Sequence, residues 1–472
     1  MRNAAASLVC AAALLAACSG EEAPRGIAIT DVTVIDAVSG IREAQTVWFD
    51  GDEILSVGPT AKPVNAEQTL SGEGRYLIPG LWDMHVHLTY EDEFTEDMPA
   101  LFLAHGVTSV RDTGGLVHKM LPVVEAMRAP DAIAPRVYFS GPLLDGQSVV
   151  YDGDLRPEIG TQNSDADQAR ANVAALDEVG VDFIKIYELV SPDVFAALAA
   201  EAESRGLPIA AHVPLSMLAR SAGPNVDSME HLRNVELDCA ADAPALHEER
   251  LGRLTNPDGL PGFELRSSLH SLQRLTAIAN YDSARCTETL AALTETIQVP
   301  TLRLNTLAMH PPQLRDDWDL IVDQLPAAAR DRWMASAEGV AERMIAGAPD
   351  STFAEWSINL TSRMHGAGVP IGAGTDTPIG WALPGFSLHT ELERLVDSGL
   401  SPLEALKSAT IRPAEFLSLS DQMGEVKAGM RADLVLLDKN PLDDISNTRT
   451  VNTVVAAGRV LDPERLLQTV AR

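Results

Sequence analysis

The sequence of 472 residues has little positive charge, since 36 Lys and Arg stand against 67 Asp and Glu and give a formal net charge of -31 at pH 7. Such an acidic surface is repelled by phosphate backbones and by anionic lipid headgroups. The composition therefore argues against nucleic-acid binding and against electrostatic docking to membranes. Glycine (33) and proline (29) are not in excess, which excludes a fibrous repeat, and 46% hydrophobic residues predict a folded globular protein.

A hydrophobic run at the N-terminus covers residues 4–17 and is too short to span a bilayer permanently. Because it follows a charged Met1-Arg2 start, we interpret it as a secretory signal. The run ends in Leu-Ala-Ala-Cys at residues 15–18, which resembles a bacterial lipobox, where the cysteine is lipidated and becomes the new N-terminus. The alternative is an ordinary alanine-rich signal followed by an incidental cysteine.

These features predict a lipoprotein signal peptide at residues 1–17 and a short tether at 18–26. The mature protein is then expected to be lipid-anchored to a membrane of the bacterial cell envelope through Cys18. Ser19, unlike an Asp at that position, is compatible with sorting to the outer membrane, so the expected location is the outer membrane, facing the periplasm.

Cysteine is also scarce, with 4 residues in the chain. Cys10 lies inside the predicted signal and Cys18 at its cleavage site, which leaves Cys239 and Cys286. Outside the cytoplasm these two are able to form one disulfide, and two buried free thiols are the alternative.

The two ends of the chain differ in pattern from its middle. Residues 27–77 and 420–472 contain short β-rich stretches between turns, and we predict that they form one composite β-sandwich. Residues 78–419 alternate apolar strands with helical patterns, which implies right-handed crossovers and a parallel sheet. The predicted fold is therefore α/β, a (β/α)8 TIM barrel with a small β-sandwich. The eight candidate strands are residues 81–88, 107–112, 136–140, 183–187, 208–213, 228–232, 301–305 and 370–376.

Two long connections follow the sixth and seventh predicted strands, at residues 234–299 and 306–369. Loops at the C-terminal ends of barrel strands build the active site in this fold. The two insertions are therefore expected to form substrate walls.

Side chains that bind metals occur at the ends of several predicted strands. His85 and His87 are two residues apart on the first strand, so both imidazoles face the same side. The C-terminal ends of barrel strands meet at one mouth, so ligands from different strands converge there. The pattern predicts a site formed by His85, His87, Lys185, His212, His231 and Asp376.

Lys185 lies between Ile184 and Ile186 in a predicted buried strand, where a free ammonium is strongly disfavoured. A neutral amine at this position is able to react with carbon dioxide and form a carbamate, which bridges two cations. A salt bridge to Asp376 or to another carboxylate, without metal, is the alternative.

This ordered set of residues resembles the amidohydrolase superfamily. The similarity includes the stretches IPGLWDMHVH (78–87), GVTSVRD (106–112), SMEH (228–231) and AGMRADLV (428–435). The sequences of the last three stretches are similar to those of the prolidase-like and imidazolonepropionase-like branch. The resemblance implies a metal-dependent hydrolase with two divalent metal ions, and imidazole and carboxylate ligands favour zinc.

The resemblance also implies a role for each ligand. His85, His87 and Asp376 hold one metal, His212 and His231 hold the other, and carbamylated Lys185 bridges them. Members with a single metal exist, so the number of metals depends on Lys185. A bound metal lowers the pKa of water to about 7, and the hydroxide attacks the scissile carbonyl. Asp376 is the predicted catalytic residue, which takes the proton and hands it to the leaving amine.

The predicted substrate is a small amide, either a dipeptide of the X-Pro, X-Arg or X-Lys type or an N-acyl amino acid. Candidate substrate contacts are His118, Tyr187 and His310, whereas His270 is expected to face solvent and alternation directs Glu230 outward. One alternative is a cyclic amide hydrolase like imidazolonepropionase, and another is a surface-binding lipoprotein whose catalysis has decayed. The sequence does not define the oligomeric state, and a homo-oligomer is one of the alternatives.

Overall fold

The computed structural model describes residues 23–346 and 349–470. The predicted signal peptide and Cys18 lie outside the described residues, so the anchor stays a prediction. None of the helices described is both long and apolar enough to cross a membrane.

The secondary structure alternates strands with helices through the middle of the chain. The strands are β1 (Ile27–Asp36), β2 (Gly40–Asp50), β3 (Glu53–Pro59), β4 (Gln68–Ser71), β5 (Tyr76–Pro79), β6 (Leu81–Val86), β7 (Val107–Asp112), β8 (Arg136–Phe139), β9 (Leu143–Asp145), β10 (Gly160–Gln162), β11 (Ile184–Ile186), β12 (Ile209–Ala211), β13 (Ser228–Glu230), β14 (Ile297–Val299), β15 (Leu434–Leu437), β16 (Val451–Ala456) and β17 (Arg459–Leu461). The helices are α1 (Asp92–Thr95), α2 (Met98–Ala104), α3 (Val117–Arg128), α4 (Ala166–Val179), α5 (Pro192–Arg205), α6 (Ala219–Ala222), α7 (Val235–Asp238), α8 (Ala243–Leu254), α9 (Gly262–Ala279), α10 (Ser283–Ala291), α11 (Leu302–Asn305), α12 (Trp318–Gln324), α13 (Ala327–Ala346), α14 (Thr352–Gly366), α15 (Phe386–Asp397), α16 (Pro402–Ser408), α17 (Ile411–Phe416) and α18 (Pro463–Thr469).

Both ends of the chain contribute to one eight-stranded sheet, with the order β17-β16-β15-β5-β1-β2-β3 and β4 paired to β1. The N- and C-terminal segments meet where β15 pairs antiparallel with β5. Apolar side chains from both segments, such as Val34, Phe49 and Leu434, pack into one buried cluster. The two β-rich ends therefore pair within one sheet.

The central strands are parallel and lie in two sheets, β6-β7-β8 and β10-β9-β11-β12-β13-β14. The α/β class is confirmed, but among the described residues the strand pairing does not form a single closed barrel. Residues 370–377 lie between the two sheets and make only isolated parallel bridges, Gln298 to Ile371 and Val86 to Thr377. A Cβ atom on Gly374 would lie 2.8 Å from the Cβ atom of His85, so this segment approaches β6 closely.

The prediction of a seventh strand at residues 301–305 is wrong. The strand in this part of the chain is β14, which ends before Pro300, and residues 302–305 form the short helix α11. The buried Glu391 carboxylate accepts hydrogen bonds from the backbone amides of Leu302 (2.9 Å) and Arg303 (2.7 Å), which stabilises the helix start. This capping group lies far along the chain, so the local pattern does not reveal it.

The insertion after β13 contains α7 to α10, and a disulfide between Cys239 and Cys286 closes it. The expectation of one disulfide is confirmed. Helix α9 lies between the two cysteines and carries the residues of the insertion that contact the site described next.

Candidate active site

His85, His87 and Asp376 form a compact group at the C-terminal end of β6. The Nε2 atoms of His85 and His87 lie 3.3 and 3.1 Å from Oδ1 of Asp376. All three side chains are buried, and one candidate ligand atom from each lies within 4.8 Å of the others. Two imidazole nitrogens and a carboxylate oxygen at this spacing fit a single divalent cation.

His212 and His231 follow β12 and β13 and lie beside this group. Their ring centroids are 4.8 Å apart, and the His231 ring is 4.5 Å from the His85 ring. The pKa of both imidazoles lies well below the ordinary value of histidine, and burial is the largest cause. Both rings are therefore neutral at pH 7, which is the form that binds a metal.

Each of the four rings is fixed through its Nδ1 atom. Nδ1 of His85 donates to Glu230 (2.7 Å), that of His87 to the Gly114 carbonyl (3.2 Å), that of His212 to Glu188 (2.8 Å), and that of His231 hydrogen-bonds Thr301 (2.7 Å). These bonds leave the four Nε2 atoms as the available ligand atoms. Metal-binding histidines in proteins are oriented by this kind of support.

Lys185, in the middle of β11, is buried among these residues. Within residues 23–346 and 349–470 its Nζ atom has no hydrogen-bond partner, and the nearest carboxylate oxygen, from Glu230, is 3.8 Å away. Burial lowers the pKa of its amine to about 7. Among the described residues Asp376 is not an ionic partner of Lys185, whereas the 3.8 Å contact with Glu230 leaves a salt bridge to another carboxylate as the alternative to a modified lysine.

Glu230 is one residue of this site that the sequence prediction misplaces. The prediction that it points outward is wrong, because its side chain is fully buried and binds His85, Ser228 and Arg111. Alternation fails because His231 has a left-handed backbone (φ 62°), so Glu230 and His231 do not face opposite sides. The buried Arg111, whose Nη2 is 2.7 Å from Glu230, compensates the carboxylate charge.

Glu188 supports His212 and links it to the insertion. Its carboxylate also accepts hydrogen bonds from Arg266 (2.9 Å) and His270 (2.6 Å), both on α9. The expectation that His270 faces solvent is therefore wrong. Helix α9 of the insertion therefore contacts the carboxylate that supports His212.

The three candidate substrate contacts lie in different places. Tyr187 is buried, with its ring centroid 4.5 Å from that of His212, whereas His118 on α3 and His310 after α11 are exposed. The structure does not bring these two histidines together with the buried ligands. Two further tyrosines, Tyr151 and Tyr90, connect Tyr187 to the His87 ring through centroid distances of 5.7, 6.3 and 5.9 Å. This row of aromatic rings forms one side of the site.

Comparison with known proteins agrees with this geometry. A segment of 83 residues is 41% identical to ochratoxinase of Aspergillus niger. This segment covers 17% of this chain and 16% of that protein. The chain thus spans less than a fifth of the length of this curated relative. Among solved structures, a Xaa-Pro dipeptidase with bound methionine is similar, with a TM-score of 0.65, 18% identity and coverage of 92% of this chain and 99% of the other.

A second solved structure, a bottromycin amidohydrolase, has a TM-score of 0.68, 25% identity and coverage of 94% of this chain and 89% of the other. The family model for the amidohydrolase family matches residues 76–236 and 340–461, which include all six predicted ligands. The resemblance drawn from the sequence is confirmed, and the chain belongs to the amidohydrolase family.

Proposed function

We propose that the protein hydrolyses a small amide bond, in a dipeptide of the X-Pro, X-Arg or X-Lys type or in an N-acyl amino acid with a free carboxylate. The observation that carries this proposal is the convergence at one point of four oriented imidazoles, a buried aspartate and a buried lysine whose Nζ has no hydrogen-bond partner among the described residues. Packing alone does not account for so many buried polar groups.

We propose that the site holds two divalent metal ions, both zinc, and the group of His85, His87 and Asp376 supports the first of them. His85, His87 and Asp376 would hold one ion, His212 and His231 the other, and a carbamate on Lys185 would bridge them. When bound, such ions lower the pKa of a water molecule and polarise the amide carbonyl.

The protein's own side chains supply orientation and proton transfer. Asp376 is fixed on the site by its backbone amide, which donates to the His85 carbonyl (2.7 Å). In the proposed reaction its carboxylate takes the proton of the attacking water and delivers it to the leaving amine. The row of Tyr90, Tyr151 and Tyr187 offers an apolar surface to the substrate side chain and limits the entry of water on that side.

The names of the similar solved structures support an amide substrate, since one is a Xaa-Pro dipeptidase and the other an amidohydrolase. Their likeness also supports the finer fold proposal, a (β/α)8 barrel with a small β-sandwich. Residues 370–377 then take the place of the eighth strand, since they have bridges to both neighbouring sheets.

The location is a proposal as well: a lipid anchor at Cys18 in the cell envelope, on the outer membrane facing the periplasm. The lipobox-like stretch supports it, and so does the disulfide between Cys239 and Cys286, because such bonds persist in oxidising compartments.

The test is turnover by the metal-loaded protein of a panel of dipeptides and N-acyl amino acids, with a His85→Ala variant as the inactive control. We expect release of the free amine from at least one class of the panel and none from the variant. Preferential turnover of lactones or phosphotriesters would move the assignment to another chemistry. Full metal content without turnover of any of these compounds would favour a decayed, ligand-binding lipoprotein.

A further inference from the structure

A cluster of arginines lies behind His212 in a protein that is otherwise strongly acidic. Arg266 pairs with Glu188 at 2.9 Å, and Arg274 lies 3.5 Å from Glu236. Among the residues that the structure describes, the buried Arg250 hydrogen-bonds only neutral groups, Gln273 (2.7 Å) and Asn234 (3.1 Å). The cluster consists of four guanidinium groups and two carboxylates: Arg233, Arg250, Arg266, Arg274, Glu188 and Glu236.

Arg233 differs from the other three arginines in what its guanidinium contacts. Arg266 donates to Glu188, Arg250 donates to two amides, and Arg274 donates to His270 and stacks on Phe353 at 4.2 Å. In the part of the chain that the structure describes, Arg233 has one ionic contact, Nη1 to Oε1 of Glu188 at 3.5 Å, and donates no hydrogen bond. Its side chain keeps 19% exposure, so its donors are accessible.

Glu188, the partner of Arg233, already accepts hydrogen bonds from other side chains. Oε1 of Glu188 accepts from His212 (2.8 Å) and Arg266 (2.9 Å), while Oε2 accepts from His270 (2.6 Å). Glu188 therefore stays compensated if Arg233 binds a second carboxylate. An arginine presents a planar fork of donors that matches a carboxylate with two parallel hydrogen bonds.

The backbone fixes the position of Arg233 close to the candidate ligands. It is two residues after the ligand His231, in a turn where Leu232 and Asn234 have left-handed conformations (φ 59° and 67°). The Asn234 side chain donates to the Val213 carbonyl (2.8 Å), which fixes the turn to the segment after His212. Burial is the largest cause of the lowered pKa of Lys185 and of His212. The positive charge of Arg233 also lowers both, in keeping with its position near them.

We propose that Arg233 binds the free carboxylate of the substrate and makes the site selective for anionic amides over their neutral counterparts. This inference rests on the proposed amide hydrolysis, because it assigns the recognition of that substrate to one side chain.

The test compares each substrate with its C-terminal amide, in wild type and in Arg233→Met. We expect Arg233→Met to lower kcat/KM for the free acids by roughly 10- to 100-fold, mostly through KM, because one charge-assisted pair is lost. The amides should change by less than about threefold, and Arg233→Lys should restore part of the loss. Arg253→Met is the matched control, since Arg253 lies in the insertion that follows Arg233 and pairs with Glu249 on an exposed face.

A binding measurement separates this inference from the proposed function. The probes are 3-phenylpropionate and 3-phenylpropanol, which have no amide to hydrolyse, titrated calorimetrically into the metal-loaded protein. Tighter binding of the carboxylate in wild type, lost in Arg233→Met at unchanged metal content, supports the inference even if no amide is turned over. Equal kcat/KM of wild type and Arg233→Met on the free acids would overturn the inference while amide hydrolysis stands. If no amide is hydrolysed and carboxylate binding does not depend on Arg233, both proposals fail.

Discussion

The contact between Glu230 and His85 gives a prediction that separates metal binding from general stability. In Glu230→Gln the side chain keeps its shape, and its remaining oxygen is able to accept from Arg111 (2.7 Å in wild type) and Ser228 (2.9 Å). The new amide group then faces Nδ1 of His85, so two donors meet where one hydrogen bond of 2.7 Å existed. His85 responds by placing its proton on Nε2, which removes its ligand lone pair.

The size of the effect follows from these contacts. Loss of a supporting partner of a metal-binding histidine costs roughly 10- to 100-fold in metal affinity. The substitution also leaves the buried Arg111 without its carboxylate, and breaking a buried ion pair lowers the free energy of unfolding by about 3 kcal/mol. Glu230→Gln is therefore expected to lose both metal affinity and stability.

Asp433→Asn is the matched control, because Asp433, just before β15, is a buried carboxylate that pairs with Arg136 at the start of β8 (2.7 Å) and does not contact the site. We expect this variant to lose stability and to keep its metal. The assay is metal competition with a chromophoric chelator, alongside chemical denaturation of both variants. Wild-type metal affinity in Glu230→Gln would refute the reasoning that this carboxylate orients His85.

Three further predictions concern the metals, the disulfide and the anchor. Lys185→Ala is expected to bind about one metal per chain where wild type binds two, measured by elemental analysis, and an unchanged content would show that Lys185 does not bridge. Cys239→Ser/Cys286→Ser should unfold more easily than wild type by about 4 kcal/mol in denaturant, since the disulfide closes a separation of 47 residues, and equal midpoints would contradict this. Radiolabelled palmitate should enter the wild type and not Cys18→Ala, whereas equal labelling of both would exclude the anchor.

The sequence predicts those parts of the fold that depend on local pattern. Strand β7 (107–112) and helix α4 (166–179) have the bounds expected from their apolar periodicity and from turn residues such as Gly180. The six candidate ligands are predictable because each lies within or just after a strand that the sequence pattern predicts. His212 and His231 meet because parallel strands end at one edge of the sheet.

The residues that sequence reasoning misplaces depend on distant partners. Glu230 faces the site because of a left-handed residue after it and because Arg111, on another strand, compensates its charge. His270 is buried because helix α9 packs onto Glu188, 82 positions earlier in the chain. Helix α11 replaces a predicted strand because Glu391 caps its first amides. In each case a tertiary contact outweighs the local preference.

The central claim is that this site hydrolyses an amide with the help of metals, and chelation tests it most directly. The measurement is amine release from the best substrate of the panel before dialysis against a chelator, after it, and after return of zinc. The account predicts that activity falls with the metal content and returns when about two zinc ions per chain are bound at the histidines. Activity that persists in metal-free protein would contradict it.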